Sequence, residues 1–401
     1  MFIPFLIRGR PVKMSRHGVN PSDMGWPTFR SHPSLKKKPV NTFINGIGFT
    51  VPPLRIDRQA SSDVAKGLSC QSERQQQRLD AVYRRSGVQT RGSVLLSEAA
   101  CGAIEQDFFP PADGEKDRGP TTADRSQQFA DQAPKLAVES SRIALADAGT
   151  SPQQITHLVV VTCTGFSAPG IDIQLIDTLG LPLTTERVQV GFMGCHGAIN
   201  GLRAARGLLA ADADACVLLC CIELCSLHYQ YGYDANRIVS GALFADGAAA
   251  MVMHRDARQS PLAELTATGS YLVPDSRGAM TWLIGDHGFE MTLAATVPSL
   301  IEAKLTSFLK PWLESHGESI ESVGGWAVHP GGTRILTAVQ TALGLADEDL
   351  TMSRQVLAEH GNMSSATMPA VLTMFRESDK PKPWVMLGFG PGLEIEVALL
   401  K

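Results

Sequence analysis

From Asn41 to the C-terminus, apolar segments of strand length alternate with longer amphipathic segments. Two of the longer segments, LAVESSRIALADAG and AINGLRAARGLLAAD, carry apolar residues at helical spacing. Strands and helices alternating on this scale predict an α/β layered fold. The predicted strands are TFINGIGFTV, THLVVVTCTG, RVQVGF, ACVLLCCIEL, AAAMVMH, GGWAVH, PWVMLGFG and EIEVALL.

A chain of 401 residues is longer than one small core usually serves. We therefore expect two packed domains or two halves of one layered domain. The composition changes within HRDARQSPLAELTATG, which predicts a first half over residues 41–258 and a second half over residues 259–401. The charged stretch 71–119 is predicted to be helical.

The first forty residues differ from the rest, with eight Lys or Arg and one acidic residue, Asp23. The opening apolar run is too short for a typical signal peptide, and no clear cleavage site follows it. We interpret residues 1–40 as a basic, disordered extension, or as the result of a start codon upstream of the true one at Met14 or Met24. A cytoplasmic protein is expected.

The formal net charge is −4 and the sequence pI is about 6.2, so no strong field over the molecule favours nucleic acid or an anionic membrane. A small molecule or a protein is the expected partner. No run of about eighteen apolar residues is present, so no membrane span is predicted.

Eight cysteines are irregularly spaced, which argues against a disulfide framework. Cys216, Cys220, Cys221 and Cys225 could suggest a metal cluster, but the first three lie in an apolar strand and the fourth directly follows it. Because free cysteine packs as a small hydrophobe, core packing is favoured over metal binding, and no metal site is predicted.

One cysteine has a different setting. In RVQVGFMGCHGAINGLRAARGLLAAD, a strand passes through two glycines into Cys195, and a helix follows. A thiol at this turn faces the positive end of the helix dipole, which favours the thiolate, and the glycines let a substrate approach. A nucleophile is favoured over a buried structural cysteine, and we expect a lowered thiol pKa.

A thiolate requires a partner, and His329 is the clearest candidate among ten histidines. It closes the strand GGWAVH and precedes Pro-Gly-Gly, a turn that opens space around it. His196 follows Cys195 directly, and we expect its side chain to point away. His228 could line a cavity. Most single histidines are structural, so only the combination with Cys195 supports His329.

Asn362 precedes a helix of small residues in EHGNMSSATMPAVLTMF. It could cap that helix, or it could present its amide to a developing oxyanion, and the pattern leaves both open. The turn in LGFGPGLEIEVALL lacks the spacing and the helix of a dinucleotide site, so it is interpreted as a cavity wall.

Taken in order, GCHGAINGL, ALFADGAAA, VHPGG, GNMSSA and GFGPGLEIEV resemble the type III polyketide synthases, the chalcone synthase-like family. The resemblance covers nearly all of residues 41–401. It implies a homodimer with a thiolase-like αβαβα fold of two duplicated halves. It also implies acyl-CoA and malonyl-CoA as substrates, with no further cofactor.

The resemblance implies a role for each candidate. Cys195 would carry the acyl group, with His329 as its ion-pair partner. His329 and Asn362 would hold the thioester oxygen while malonyl-CoA loses carbon dioxide. This agrees with the chemistry, because two neutral or cationic donors stabilise an enolate better than a carboxylate could.

Substrate-binding positions are also implied. Phe244 matches the family's gating phenylalanine, and the second gate position falls at Met291, which is not aromatic. Cys163, His228 and Trp282 stand where the plant enzymes have other residues, which argues against a plant flavonoid starter. The segments TCTG and ELCSLHYQ, which contain Cys163 and His228, resemble bacterial members of the family.

Basic positions that contact CoA phosphates in the family fall at Arg78 and Arg85, while a third falls at Ala81. Gly331 and Gly332 are further predicted contacts for the cofactor-like CoA moiety.

Three other classes remain in view. A papain-like hydrolase uses Cys, His and Asn in this order, but its nucleophile lies near the mature N-terminus. An inactive thiolase-fold binding protein and a ketoacyl-ACP synthase III are the others. For the product, a fatty acyl starter giving alkylpyrones or alkylresorcinols is expected, and a tetrahydroxynaphthalene synthase that uses malonyl-CoA alone is the alternative.

Overall fold

A computed structural model describes residues 40–258 and 260–401, so the predicted N-terminal extension, apart from Val40, lies outside the described residues. The larger strands are β1 (Phe43–Thr50), β6 (His157–Thr162), β7 (Glu186–Gly191), β8 (Cys216–Leu224), β9 (Asp246–His254), β10 (Ala263–Leu272), β11 (Met280–Gly285), β12 (Gly288–Leu293), β13 (Gly325–Val328), β14 (Trp384–Gly390) and β15 (Glu394–Leu400). The short strands are β2 (Arg55–Asp57), β3 (Thr90–Gly92), β4 (Ser97–Glu98) and β5 (Ile104–Glu105).

The helices alternate with the strands as predicted. They are α1 (Arg58–Ser69), α2 (Glu73–Arg85), α3 (Thr122–Asp147), α4 (Ile171–Leu179), α5 (Gly197–Ala211), α6 (Ala235–Leu243), α7 (Val297–Glu314), α8 (Thr333–Leu343), α9 (Thr351–His360) and α10 (Thr367–Arg376). All eight predicted strands are present as β1, β6, β7, β8, β9, β13, β14 and β15. The prediction for residues 71–119 is only partly correct, because α2 is followed by the short strands β3 to β5.

Nine strands form one sheet in the order β13-β14-β15-β10-β1-β9-β8-β6-β7. The two halves meet where β1 pairs with β10 over only two residue pairs, Phe43 with Glu264 and Ile44 with Ala263. On one side of this junction lie the strands of the first half, and on the other side lie those of the second half. The sheet is therefore two half-sheets joined by a short contact.

The side chains of each half-sheet alternate between two cores. Along β8, Val217, Leu219 and Cys221 pack with α5 and α10, whereas Leu218 and Cys220 pack with α3 and α4 on the other face. The outer face of the second half-sheet packs against α7 and α8. The layers are thus α3/α4, half-sheet, α5/α10, half-sheet and α7/α8, which confirms the predicted αβαβα fold.

The close packing of α3 on β1 depends on small residues. A Cβ added at Gly48 would lie 2.2 Å from the carbonyl oxygen of Ser140, and one at Gly46 would lie 2.4 Å from that of Ala144. Glycine at these positions lets the helix backbone lie directly on the strand. Within the part of the chain that the structure describes, no helix is long and apolar enough to cross a membrane.

Candidate active site

Cys195 lies at a tight turn between β7 and α5. Gly194 has a φ of 78°, and the 3-10 turn Gly194–His196 leads directly into the helix. A Cβ at Gly194 would lie 2.4 Å from Cδ of Pro391, in the glycine-rich turn between β14 and β15. Glycine is therefore required here both by the backbone and by the neighbouring turn. The turn presents the thiol at the junction between the two halves.

His329 follows β13 and is held through its backbone. Its N–H donates to the carbonyl oxygen of Leu387 at 2.8 Å, and its own carbonyl accepts from the N–H of Gly331 at 2.9 Å. The side chain is buried, and neither ring nitrogen has a hydrogen-bond partner among the described residues. The imidazole is thus free to bond a substrate atom in the space that it faces.

Asn362 lies between α9 and the next 3-10 turn, and it is buried. Its Oδ1 accepts from the backbone N–H of Ser364 at 2.9 Å, which orients the amide. Both Oδ1 and Nδ2 lie 3.9 Å from Sγ of Cys195. Because the N–H of Ser364 identifies Oδ1 as the acceptor end, Nδ2 is the atom of the amide that can donate to a substrate oxygen.

Cys195, His329 and Asn362 line one small chamber of about 30 Å³. Phe244 and Met291 line it as well. The structure thus brings together three residues that are up to 167 positions apart in the sequence. A second small chamber, also about 30 Å³, joins Cys195 to Cys163, Cys225, Trp282, Met291 and Ser364.

Burial dominates the electrostatics of this chamber. It raises the pKa of the Cys195 thiol to about 11, although the residue is partly accessible, and it lowers the pKa of His329 to about 3. Hydrogen bonds from Ser364 and Asn362 oppose the increase at Cys195 only in part. Burial therefore acts against the lowered thiol pKa expected from the helix start and from pairing with His329, and that expectation stays a prediction.

A buried carboxylate, Glu223, lies behind the two chambers. Its Oε1 accepts from the hydroxyl of Ser365 at 2.6 Å, and its Oε2 accepts from the hydroxyl of Thr164 at 2.7 Å and the N–H of Cys163 at 3.0 Å. Burial raises the pKa of Glu223 to about 7 despite these donors. Glu223 was not predicted, because a glutamate inside an apolar strand was the only signal.

His228 is engaged on both sides of its ring. Nε2 donates to the carbonyl oxygen of Thr164 at 2.7 Å, and Nδ1 accepts from the N–H of Phe289 at 3.0 Å. The ring also stacks on that of Phe289 with centroids 4.2 Å apart, and burial lowers the pKa of His228 to about 3. Its predicted contact with substrate is therefore limited to its apolar face.

A larger cavity of about 330 Å³ begins at Phe244, Trp282 and Met291, the residues that also border the small chambers. The Trp282 indole N–H donates to the carbonyl oxygen of Cys163 at 2.8 Å, which fixes the ring between the chamber and the cavity. Cys225, expected to pack in the core, is buried and also lines both spaces. Apolar lining residues include Ile56, Val64, Leu68, Leu95, Phe109 and Phe289.

A separate cavity of about 610 Å³ is lined by Arg85, Gly331 and Gly332, three of the four residues predicted to contact CoA. Arg334, in the first turn of α8, also lines it and was not predicted. Arg78 lies seven residues, or about two helical turns, before Arg85 on the same face of α2. It is exposed and is not among the residues that line this cavity. Gly331 also borders the chamber of Cys195, so the two spaces adjoin.

The fold and the site define a thiolase-like protein with Cys, His and Asn at the junction of two α/β halves. The sequence model "Chalcone and stilbene synthases, N-terminal domain" matches residues 43–257, and the corresponding C-terminal model matches residues 264–401. The chain belongs to the chalcone and stilbene synthase family, the type III polyketide synthases. A papain-like hydrolase is thereby excluded.

Several relatives agree with this family. The chain is 32% identical over 334 residues to an alpha-pyrone synthesis polyketide synthase-like protein of Mycobacterium tuberculosis, covering 80% of this chain and 81% of the relative. It is 37% identical over 272 residues to the 1,3,6,8-tetrahydroxynaphthalene synthase of Streptomyces peucetius, covering 66% and 72%. It also matches two polyketide synthases of Dictyostelium discoideum, but spans only 11% and 10% of their lengths.

Two solved structures are similar over most of the chain. The C-terminal type III polyketide synthase domain of Steely1, from Dictyostelium, has a TM-score of 0.81 at 30% identity, covering 90% of this chain and 99% of that one. PKS-I from the brown alga Ectocarpus siliculosus has a TM-score of 0.83 at 31% identity, covering 91% and 99%.

The pKa values of the site predict how Cys195 reacts with iodoacetamide. A thiol with a pKa of about 11 is roughly one-thousandth thiolate at pH 8. Proton transfer to His329 would form the thiolate at lower pH, because each charge would then have an opposite neighbour. We expect His329→Gln to shift the pH profile of alkylation towards pH 11, and His316→Gln, on the surface, to leave it unchanged. Superimposable profiles for wild type and His329→Gln would refute the pairing.

Proposed function

We propose that the protein is a type III polyketide synthase that extends an acyl group on Cys195 with malonyl units from malonyl-CoA. The observation that supports this most is the chamber shared by Cys195, His329 and Asn362, with two unbonded imidazole nitrogens and an amide whose Nδ2 points to Sγ of Cys195 at 3.9 Å. These are a nucleophile and hydrogen-bond donors for an oxyanion within one enclosed space.

The steps follow from these groups. The thiolate of Cys195 attacks the acyl-CoA carbonyl, a C–S bond forms, and CoA leaves as a thiol. Malonyl-CoA then loses carbon dioxide, and the resulting enolate oxygen accepts hydrogen bonds from His329 and from Nδ2 of Asn362. The enolate carbon attacks the acyl thioester, so a C–C bond forms and the Cys195–acyl bond breaks.

The CoA moiety has a suitable space in the cavity beside Gly331. Two arginines, Arg85 and Arg334, line it, and no acidic residue is among its described lining residues. Guanidinium groups at an otherwise apolar cavity suit a molecule with phosphates at one end and an apolar arm. Arg334 compensates for Ala81, where the family has a further basic residue.

Separate roles for the thiol and the oxyanion donors predict that Cys195→Ala abolishes condensation but retains malonyl-CoA decarboxylation. Asn362→Ala is expected to reduce decarboxylation by roughly 100-fold or more. Cys220→Ala, in a core strand, serves as the matched control and should keep both activities. Release of carbon dioxide and product formation are measured separately, and condensation by Cys195→Ala at the wild-type rate would contradict the assignment.

For the starter, we propose a medium or long fatty acyl-CoA, giving alkylpyrones or alkylresorcinols. The support is the cavity of about 330 Å³ beyond Phe244, Trp282 and Met291, which has apolar residues along part of its wall. Met291 is flexible, so an acyl chain can displace it more readily than an aromatic ring. A relative whose name includes alpha-pyrone synthesis agrees with this product class.

The alternative is malonyl-CoA as both starter and extender, giving tetrahydroxynaphthalene. Trp282 stands between the chamber of Cys195 and the cavity of about 330 Å³, and its bond to the Cys163 carbonyl holds it there. A closed wall would favour a short starter. The similarity to a tetrahydroxynaphthalene synthase also supports malonyl-CoA as the starter.

A series of acyl-CoA starters separates the two products. We expect kcat/KM to rise with chain length, because each buried methylene contributes about 0.8 kcal/mol. Trp282→Ala should shift the preference to longer chains by opening the wall, whereas Leu283→Ala, exposed on the same strand, should not. No gain with length, together with a naphthalene product from malonyl-CoA alone, would overturn the fatty acyl proposal.

We also propose a homodimer that forms along β7. This strand is the exposed edge of the nine-stranded sheet, whereas β13 at the other edge is buried. Val188 on β7 and the adjacent Phe166 and Met193 are exposed, and Phe166 stacks on Phe192 with centroids 5.2 Å apart. An exposed apolar edge strand is a surface that proteins usually cover.

Light scattering tests the dimer by measuring the molar mass in solution. A homodimer would have twice the mass of one chain, which is 43.0 kDa. We expect Val188→Asp to shift the protein towards the monomer at micromolar concentration. Ile143→Asp is the matched control, because Ile143 is equally exposed but lies on α3. A monomeric wild type, or equal effects of the two variants, would contradict the proposed surface.

A further inference from the structure

Asn362 and the gating residue Phe244 are held by one short backbone segment, residues 241–245. The N–H of Asn362 donates to the carbonyl of Leu243 at 2.8 Å, and its carbonyl accepts from the N–H of Ala245 at 2.9 Å. Asn362 is therefore bonded to the residues on both sides of Phe244. Any displacement of this segment moves the amide and the gate together.

The same segment is the C-terminus of α6, where backbone carbonyls lose their helical partners. One side chain, Arg91, supplies donors to three of them. Its Nη1 donates to the carbonyls of Gly241 at 2.6 Å and Phe244 at 2.8 Å, and its Nη2 donates to that of Ala242 at 3.1 Å. A cation at a helix C-terminus is also favourable with the helix dipole.

Arg91 is itself fixed in place. It lies on β3, is only 7% exposed, and its guanidinium lies 5.5 Å from the ring centre of Tyr83. The planar guanidinium can bond three carbonyls at once, which the single ammonium of lysine cannot do with the same geometry. The segment that holds Asn362 is therefore anchored by a rigid, buried fork.

We propose that Arg91 is a positioning residue for the decarboxylation step, acting through segment 241–245 on Asn362. This rests on the proposed polyketide synthase activity. A misplacement of about 1 Å at a reacting group can cost around 100-fold in rate. Cys195 is held differently, by the turn from β7 into α5. Removal of Arg91 should therefore slow decarboxylation without changing the reactivity of Cys195.

The experiment compares Arg91→Met, Arg91→Lys and Arg255→Met in the full chain. Arg255 is the matched control, because its Nε donates to the carbonyl of Leu209 near the C-terminus of α5, away from Asn362. Three quantities are measured: malonyl-CoA decarboxylation, the rate of Cys195 alkylation at fixed pH, and the unfolding temperature.

We expect Arg91→Met to lower the kcat of decarboxylation by about 10- to 100-fold while Cys195 alkylation stays unchanged. Arg91→Lys should recover part of the rate. Arg255→Met should lower the unfolding temperature without changing the ratio of the two rates.

The proposal is overturned if a folded Arg91→Met decarboxylates as wild type, or if both rates fall together as stability falls. Should Arg91→Met not fold, the ratio of decarboxylation to Cys195 alkylation is measured in Arg91→Lys instead. A lysine variant that decarboxylates at the wild-type rate would then overturn the proposal. Absence of decarboxylation in the wild type would instead refute the proposed function, independently of Arg91.

Discussion

The buried carboxylate of Glu223 ties the two halves of the molecule together directly behind the nucleophile. It accepts from Thr164 and Cys163 in the first half and from Ser365 in the second half. Ser365 follows Asn362 by three residues, and Gly194 donates its N–H to Sγ of Cys163 at 3.1 Å. A shift of one half against the other would leave these buried polar groups unpaired, at about 1–3 kcal/mol each. The relative positions of Cys195 and Asn362 depend on this connection.

Water is excluded from Glu223 and from the chamber beside it. This burial also determines the protonation states of Cys195 and His329. Both Cys195 and His329 are driven to their neutral forms by burial, as the opposite shifts of their pKa values show. A charge on either group alone is unfavourable, so charge is created only when a partner or a substrate compensates it. In the proposed decarboxylation, the N–H of a neutral His329 imidazole and the amide N–H of Asn362 would both donate to the enolate oxygen, which appears only during the reaction.

The sequence predicted the strands, the layers and the residues at turns, because these depend on local periodicity and on glycine punctuation. Cys195 was recognisable from the glycine turn before a helix, and His329 from the strand end before Pro-Gly-Gly. Arg91 and Arg334 were not found, because their roles arise from contacts with segments about 40 to 150 residues away. The burial that raises the pKa of Cys195 was not predicted either, since burial depends on the whole packed structure.

Two residues of the wall between the Cys195 chamber and the larger cavity lie outside the main sheet. Trp282 and Met291 are opposite each other on the hairpin β11–β12, which pairs with no other strand among the described residues. Cys195, His329 and Asn362 instead extend from turns next to the central sheet and helices. Substitutions in the hairpin can therefore change the wall of the cavity without moving the reacting groups. This separation is why the proposed catalytic residues can be recognised from local sequence motifs, whereas the proposed starter depends on where the hairpin lies in the folded structure.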